Sequence, residues 1–200
     1  MSAEIMIAPG FSDPVFQSQA AFRALLAALS EPGTSQQVAS EITPPEGLTT
    51  ATATALLTLA DYETPVWLPE ALRNGPAGAW LRFHCGAALV DDPAEAAFAV
   101  IDGEADEPKL SAFNLGTDQF PDRSTTVIVQ VASLEGGPPI TLTGPGILGS
   151  RSIAPLGLRP GFTEELRENG AIYPLGVDVL LTYGASLIGL PRSTQVEEAR

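Results

Sequence analysis

The two side chains best suited to nucleophilic chemistry, His84 and Cys85, occur once each in this sequence and stand side by side. A cysteine nucleophile needs a base such as histidine within hydrogen-bond reach. In Leu81–Cys85, however, apolar residues alternate with Arg82 and His84, which predicts a half-buried strand over Trp80–Cys85. Neighbours on a strand point to opposite faces, so the pattern argues against a Cys–His dyad. We expect Cys85 to be a small core residue and His84 to share a face with Arg82.

Arginine is the second residue type that could carry chemistry. Arg82, Arg151 and Arg192 lie in or beside segments that read as strands or glycine-rich turns. A guanidinium group grips a carboxylate or phosphate with two parallel hydrogen bonds, so these arginines and His84 are candidates for binding an anionic ligand. The chain also has 24 acidic residues. We therefore favour local ion pairing for most of the arginines and keep ligand binding as the alternative.

A glycine-rich motif, TGPGILG, contains the G-x-G-x-x-G spacing of dinucleotide-binding loops. Its glycines are Gly144, Gly146 and Gly149. Such a loop must follow a strand and open a helix, but Pro145 and Pro155 leave little room for a helix here. The pattern favours a tight exit from a strand, and Gly144 and Gly146 stay as candidate ligand-binding positions.

The sequence contains few residues that could bind a metal ion or a cofactor. Zinc needs several cysteine or histidine ligands, and no spacing of the acidic residues singles out a magnesium site. A pyridoxal-phosphate enzyme needs a Schiff-base lysine, but the one lysine, Lys109, follows the acidic segment Asp102–Pro108, which reads as solvated surface. A G-x-S-x-G nucleophile elbow is absent from the sequence. We predict no metal and no cofactor.

The composition limits the class of protein and its partners. A length of 200 residues with 44% hydrophobic content predicts one globular domain over residues 1–200, with an ordered core of about 14–197. The formal charge of −14 argues against nucleic acid and anionic membranes as partners. One cysteine allows no internal disulfide, no signal peptide is visible, and no apolar run reaches the ~20 residues of a membrane helix. We expect a cytoplasmic location.

Three helices are predicted from apolar spacing and end signals. The first begins after Asp13 with Pro14, carries Phe22, Leu25, Leu26 and Leu29 at helical spacing, and stops at Pro32-Gly33. The second covers about Leu48–Ala60. A third, short helix begins near Thr163, which we expect to cap it ahead of Glu164 and Glu165.

The strands are predicted from short apolar runs. STTVIVQVASL (Ser124–Leu134) is almost continuously apolar, as in a strand buried on both faces with helices on both sides. VDVLLTY and SLIGL flank a Gly184-Ala185 turn and predict a hairpin, which implies a mixed sheet. The fold class is therefore α/β, with a mixed sheet flanked by helices in three layers. The remaining predicted strands are Val66–Leu68, Ala97–Ile101 and Ile140–Thr143.

Several segments together resemble the H subunit of the bacterial carbon–phosphorus lyase complex, the PhnH family of phosphonate metabolism. They occur in the family's order from about residue 14 to 197, although no single one is specific. The segments are FRALLAALSEPG (Phe22–Gly33), LLTLADYETPVWL (Leu56–Leu68), LRFHCGAALV (Leu81–Val90), AFAVID (Ala97–Asp102), STTVIVQVASL, LTGPGI (Leu142–Ile147), RSIAP (Arg151–Pro155), YPLGVDVLLTYG (Tyr173–Gly184) and LPRSTQVE (Leu190–Glu197).

The resemblance implies a fold like the large domain of pyridoxal-phosphate-dependent transferases, without that cofactor. It also implies a homodimer that joins the other subunits of the complex, the radical iron–sulfur subunit first among them. That assembly couples an alkylphosphonate to the ribose C1 of ATP and releases adenine. The family has no settled catalytic residues for this subunit, so the resemblance assigns none here.

Three functions follow as hypotheses. The first is an accessory subunit that is not catalytic alone; the others are a stand-alone phosphonate- or nucleotide-binding transferase and a purely structural dimeric scaffold. Convergence of Arg82, His84, Arg151 and Arg192 on one pocket would favour the transferase. Dispersed side chains with exposed apolar surface would favour the scaffold. Because the predicted helices are few, we expect apolar surface to remain exposed and to pair two copies.

Overall fold

The computed structural model describes residues 7–38, 41–106 and 108–198, and these form five α-helices and ten strands. The helices are α1 (Pro14–Ser30), α2 (Thr50–Leu59), α3 (Glu70–Arg73), α4 (Pro76–Cys85) and α5 (Phe162–Ala171). The strands are β1 (Ser35–Gln37), β2 (Val66–Trp67), β3 (Leu89–Val90), β4 (Phe98–Asp102), β5 (Thr126–Gln130), β6 (Ile140–Thr143), β7 (Arg151–Ile153), β8 (Asp178–Tyr183), β9 (Ser186–Leu190) and β10 (Gln195–Glu198).

Seven of the strands form one mixed sheet in the order β1-β9-β8-β5-β4-β2-β3. The five strands from β3 to β8 in that order pair in parallel, whereas β9 pairs antiparallel with β8 and with β1. The predicted hairpin is therefore confirmed, and its turn residue Gly184 has a left-handed φ of 54°. The predicted α/β class with a mixed sheet is also confirmed.

The central strands are buried on both faces, and their side chains alternate between two apolar cores. In β5, Val127 and Val129 point into one core, while Ile128 between them points into the other. The same alternation holds in β8, where Leu180 lies opposite Val179 and Leu181. This period of two explains why the sequence of these strands is apolar at nearly every position.

Helices α1, α2 and α4 cover one face of the large sheet. Helix α2 is buried on most sides, from Ala51 to Leu56, since it packs against α1, α4 and β8. Helix α1 lies close on β9 because Gly189 has no side chain: a Cβ there would stand 2.5 Å from the carbonyl oxygen of Ala28. Small residues thus set the spacing between this layer and the sheet.

The other face of the large sheet is covered mainly by a second sheet. Its strands lie in the order β10-β6-β7, all antiparallel, and α5 packs on β10. Leu142 of β6 and Val196 of β10 join the core that faces Val127 and Val129. The sequence predicted helices on both sides of the buried strands, but on this face strands supply much of the layer beside α5.

The predicted strand over Trp80–Cys85 was also wrong, since these residues end helix α4. Pro76 occupies the first turn and Gly86 ends the helix with a left-handed φ of 66°. Ala77, Trp80 and Leu81 are buried at the i, i+3, i+4 spacing of a helix. Five alternating residues are too short a window to distinguish the two periods when the signals that begin and end the helix lie outside it.

The other predicted helices form where the sequence indicates. Asp13 caps α1 by accepting a hydrogen bond from Phe16 N at 3.3 Å, and α2 matches the second prediction closely. Helix α5 is present, but its N-cap is Gly161 at φ 84°, so the expected capping by Thr163 was wrong. The strand predictions for β2, β4, β5 and β6 are confirmed within a few residues.

Candidate functional site

His84 and Cys85 end helix α4 and point to different partners. Nε2 of His84 lies 2.9 Å from the carbonyl oxygen of Ala8, and the thiol of Cys85 donates to the carbonyl oxygen of Leu56 at 3.7 Å. The Cys–His dyad is therefore not formed, as expected, although the reason is helical and not strand geometry. Arg82 is exposed on α4 and does not share the face of the half-buried His84, because residues two apart on a helix point in nearly opposite directions.

Cys85 is half-buried and packs against the apolar core between the large sheet and helices α1, α2 and α4. Burial, and secondarily the negative charge of Asp61, raises the pKa of its thiol from 9.0 to about 11. Because the thiolate and not the thiol is the nucleophile, the environment of Cys85 suppresses its reactivity.

We expect native Cys85 to react with iodoacetamide roughly a hundredfold more slowly at pH 7 than an unperturbed thiol, since its pKa is two units higher. The rate should rise with pH up to about 11, because the thiolate fraction grows until the pH passes the raised pKa. Alkylation followed by mass spectrometry, with a urea-unfolded sample as the control, measures this difference. Fast modification of the native protein at pH 7 would contradict it.

His84 holds the chain ahead of α1 against α4. Its ring lies edge-on to Trp80 and Phe83, with centroids 5.1 and 4.9 Å away. A Cβ on Gly10 would stand 2.9 Å from Nδ1 of His84, so the segment passes directly over the ring. The contacts of His84 in the structure, including that to Ala8, are thus intramolecular and consistent with a packing role.

The glycine-rich motif forms the connection between β6 and β7, and no helix follows it. Gly144 has φ 128°, Gly146 has φ 80°, and a Cβ on Gly146 would stand 2.2 Å from the carbonyl oxygen of Ser30. Arg151 donates from the other side of this turn to the carbonyl oxygens of Glu31 and Pro32. The motif and Arg151 therefore meet at the C-terminal end of α1.

Arg192 forms an ion pair with Asp178 at the start of β8. Its Nη2 lies 2.7 Å from Oδ2, its Nε lies 3.2 Å from Oδ1, and Nη1 donates to the carbonyl oxygen of Pro121. These groups border an open groove of about 430 Å³ that also contains Asp122 and Tyr173. With Arg192 neutralised by one carboxylate and a second nearby, this groove is poorly suited to an anionic ligand.

The four polar candidates do not converge on one pocket. Arg82 and His84 belong to α4, in the helical layer on one face of the large sheet. Arg151 lies on β7, in the layer on the other face, and Arg192 follows β9. The guanidinium group of Arg151 donates to backbone carbonyl oxygens, and that of Arg192 donates to the carboxylate of Asp178, all within this chain.

A buried ion pair that the sequence reasoning missed links Arg159 to Glu165 of α5. Nη2 and Oε2 are 3.0 Å apart, with both side chains about nine-tenths buried. Arg159 also donates to the carbonyl oxygens of Ala105 and Pro108, and Glu165 accepts from Leu110 N at 3.0 Å. The pair thus anchors the acidic loop to α5. The sequence signal is weak: Glu164 and Glu165, in the first turn of a predicted helix, follow Arg159 by five and six residues.

A smaller cavity of about 230 Å³ lies beside α5. Its lining is apolar and acidic, including Leu115, Ile172 and Glu168, which repels anions. Within the described residues, no group of three or more His, Cys, Asp or Glu side chains could hold a metal ion. Over the same part of the chain, no helix has the length and apolar character needed to cross a bilayer.

The fold is that of an α/β protein with a mixed sheet. Its arginines Arg151, Arg159 and Arg192 bind other segments of the same chain. The family described as bacterial phosphonate metabolism protein (PhnH) matches residues 9–197, so the chain belongs to the PhnH family. The family predicted from the sequence is therefore confirmed.

Two relatives place the chain more closely. It is 41% identical over 198 residues to the alpha-D-ribose 1-methylphosphonate 5-triphosphate synthase subunit PhnH of Rhizobium meliloti (strain 1021), covering 98% of this chain and 99% of the relative. It is 32% identical over 181 residues to the putative C-P lyase subunit protein HtxG of Stutzerimonas stutzeri, covering 90% of this chain and 86% of that protein. Both relatives are described as subunits.

Proposed function

We propose that this chain is an accessory subunit of a carbon–phosphorus lyase assembly and is not catalytic alone. The assembly would couple an alkylphosphonate to the ribose C1 of ATP and release adenine, giving a ribose 1-phosphonate 5-triphosphate. The name of the Rhizobium meliloti relative, a ribose 1-methylphosphonate 5-triphosphate synthase subunit, supports this reaction.

The observation that carries the proposal is the dispersal of the polar candidates. A stand-alone transferase acting on ATP and a phosphonate must neutralise several phosphate charges at one place. Here the cavity beside α5 and the groove beside Arg192 both have acidic linings, and Arg82 and Arg151 lie in different layers. Large apolar side chains, in contrast, are exposed on α1 and α4.

Its partners, we propose, are a second copy of the chain and the other subunits, with the radical iron–sulfur subunit as the first candidate. Exposed large apolar side chains support a role in assembly, since such groups on a free surface commonly mark contact sites. They occur on α1, on α4 and around Tyr173, which gives the chain more than one surface for a partner. A cytoplasmic location, supported by the single cysteine, is part of the same proposal.

We further propose that the fold is related to the large domain of pyridoxal-phosphate-dependent transferases, without the cofactor. A mixed sheet of seven strands between two layers supports the relation. Lys109 is exposed at the end of the acidic loop. It lines neither the cavity beside α5 nor the groove beside Arg192. The proposal thus assigns no covalent chemistry to this chain.

The test is adenine release by the assembled subunits with and without this chain. We expect release from ATP and methylphosphonate to require the chain, and the chain alone to release none. As an arm of the same experiment, Arg82→Ala should leave the rate within about threefold, whereas loss of a group acting directly on the reaction costs about 10²–10⁴-fold. Release by the isolated chain, or a collapse in Arg82→Ala, would favour the stand-alone transferase.

A further inference from the structure

Helix α1 exposes an apolar seam that the described chain covers only at its C-terminal end, where Leu29 packs against the core. Val15, Phe22 and Leu26 are 74%, 50% and 56% exposed, whereas Ala21, Leu25 and Ala28 of the same helix are buried. With Gln19 and the half-buried Leu29, the seam runs through positions 15, 19, 22, 26 and 29.

The spacing of the seam is that of a helix that packs against another helix. Steps of four, three, four and three residues are the a and d positions of a heptad, in which each side chain enters a hole on the facing helix. Gln19 takes one a position, where a polar residue selects the register and the partner at a cost in stability. A fully apolar seam would be less selective.

The charges beside the seam limit the partner further. In a chain of net charge −14, α1 has no acidic residue among its 17, and its one charged residue is Arg23. Arg23 directly follows Phe22 in an e position, and such flanking positions choose partners through ion pairs across the interface. A facing helix with carboxylates beside its seam would complement this side chain.

A second copy of α1 fits less well. In a symmetric antiparallel pair, residues near the two-fold axis face their own equivalents. Arg23 lies close to the middle of the seam between Val15 and Leu29, so the two copies would set arginine against arginine. Each copy would also bring its net charge of −14.

We propose that α1 is the docking site for an amphipathic helix of another subunit, with an apolar heptad seam flanked by aspartate or glutamate. The proposal rests on the proposed role as an accessory subunit and assigns a surface to it. Phe22 and Leu26 supply the apolar contact, Gln19 selects the register, and Arg23 pairs with a carboxylate on the facing helix.

The test measures binding of the full-length chain to the assembly purified without it. Phe22→Ser combined with Leu26→Ser should weaken binding at least tenfold, and Arg23→Glu should do the same while Arg23→Lys stays within about threefold. The matched control is Tyr62→Ser in the turn between α2 and β2, whose side chain is 76% exposed and lies outside the seam and outside the other partner surfaces named above. All these side chains are exposed, so the melting temperatures should stay close to that of the wild type, which shows that the variants fold.

A photoreactive p-benzoylphenylalanine in place of Gln19 identifies the occupant. Cross-linking to a peptide of another subunit with heptad apolar residues and acidic flanks supports the proposal, and cross-linking to this chain overturns it in favour of a second copy. Unchanged binding of the Phe22/Leu26 variant overturns the docking site but leaves the accessory role standing. Failure of the wild-type chain to bind the assembly overturns both.

Discussion

Glu165→Ala should lower the free energy of unfolding by about 3–5 kcal/mol, one of the two largest effects expected for a single substitution in this protein. The change leaves the guanidinium of Arg159 about nine-tenths buried without its carboxylate. It also removes the acceptor of Leu110 N, so the acidic loop loses its anchor on α5. Chemical denaturation followed by circular dichroism measures the loss.

The neighbouring residue provides the matched control. Glu164 is paired with Arg167 on the same helix, but both side chains are about half exposed. Exposed pairs contribute little, so Glu164→Ala should change the free energy of unfolding by no more than about 1 kcal/mol. Equal effects of the two substitutions would show that burial does not set the strength of the Arg159 pair.

The Arg159–Glu165 pair binds described residues of the acidic segment despite the repulsion among its carboxylates. Residues 102–106 contain three carboxylates that repel one another. Arg159 donates to backbone carbonyl oxygens of Ala105 and Pro108, and its own charge is balanced by Glu165. The loop is thus held through its backbone, while most of its carboxylates stay in solvent.

The elements that the sequence predicted well have their end signals next to their apolar pattern. Asp13-Pro14 and Pro32-Gly33 bracket α1, and the structure begins and ends that helix within two residues of them. Strands β5 and β8 are apolar at nearly every position because both of their faces are buried. In these cases the local sequence pattern and the burial of the element in the fold favour the same secondary structure.

The sequence did not predict the features that distant parts of the chain decide. Strand β6 was predicted correctly as a strand, but its place in the second sheet was not, because β10, which pairs with it, lies more than 50 residues later. The contacts of the candidate residues also depend on the fold. Arg151 and Arg192 were candidates for anion binding by residue type, with local pairing favoured for most of the arginines, and their partners, Pro32 and Asp178, are brought in by distant parts of the chain.

The prediction of a strand over Trp80–Cys85 is the largest correction, since these residues belong to helix α4. The contribution of Trp80 to the packing of this helix can be measured. The indole is fully buried in the apolar core that α1, α2 and α4 form with one face of the large sheet. Trp80→Ala should lower the free energy of unfolding by about 3–5 kcal/mol, because it removes a large side chain and leaves a cavity. Urea denaturation with near-ultraviolet circular dichroism as the probe measures the change.

Trp80→Phe separates packing from hydrogen bonding at the same position. Nε1 of Trp80 has no hydrogen-bond partner among the described residues, and a buried unpaired donor costs about 1–3 kcal/mol. Removing that donor offsets much of the lost volume, so Trp80→Phe should cost less than about 1.5 kcal/mol. In Trp67, by contrast, Nε1 donates to the carbonyl oxygen of Asp91 at 3.2 Å, so Trp67→Phe should cost more. If Trp80→Phe proved the more damaging of the two, the indole N–H of Trp80 would have to be paired in solution.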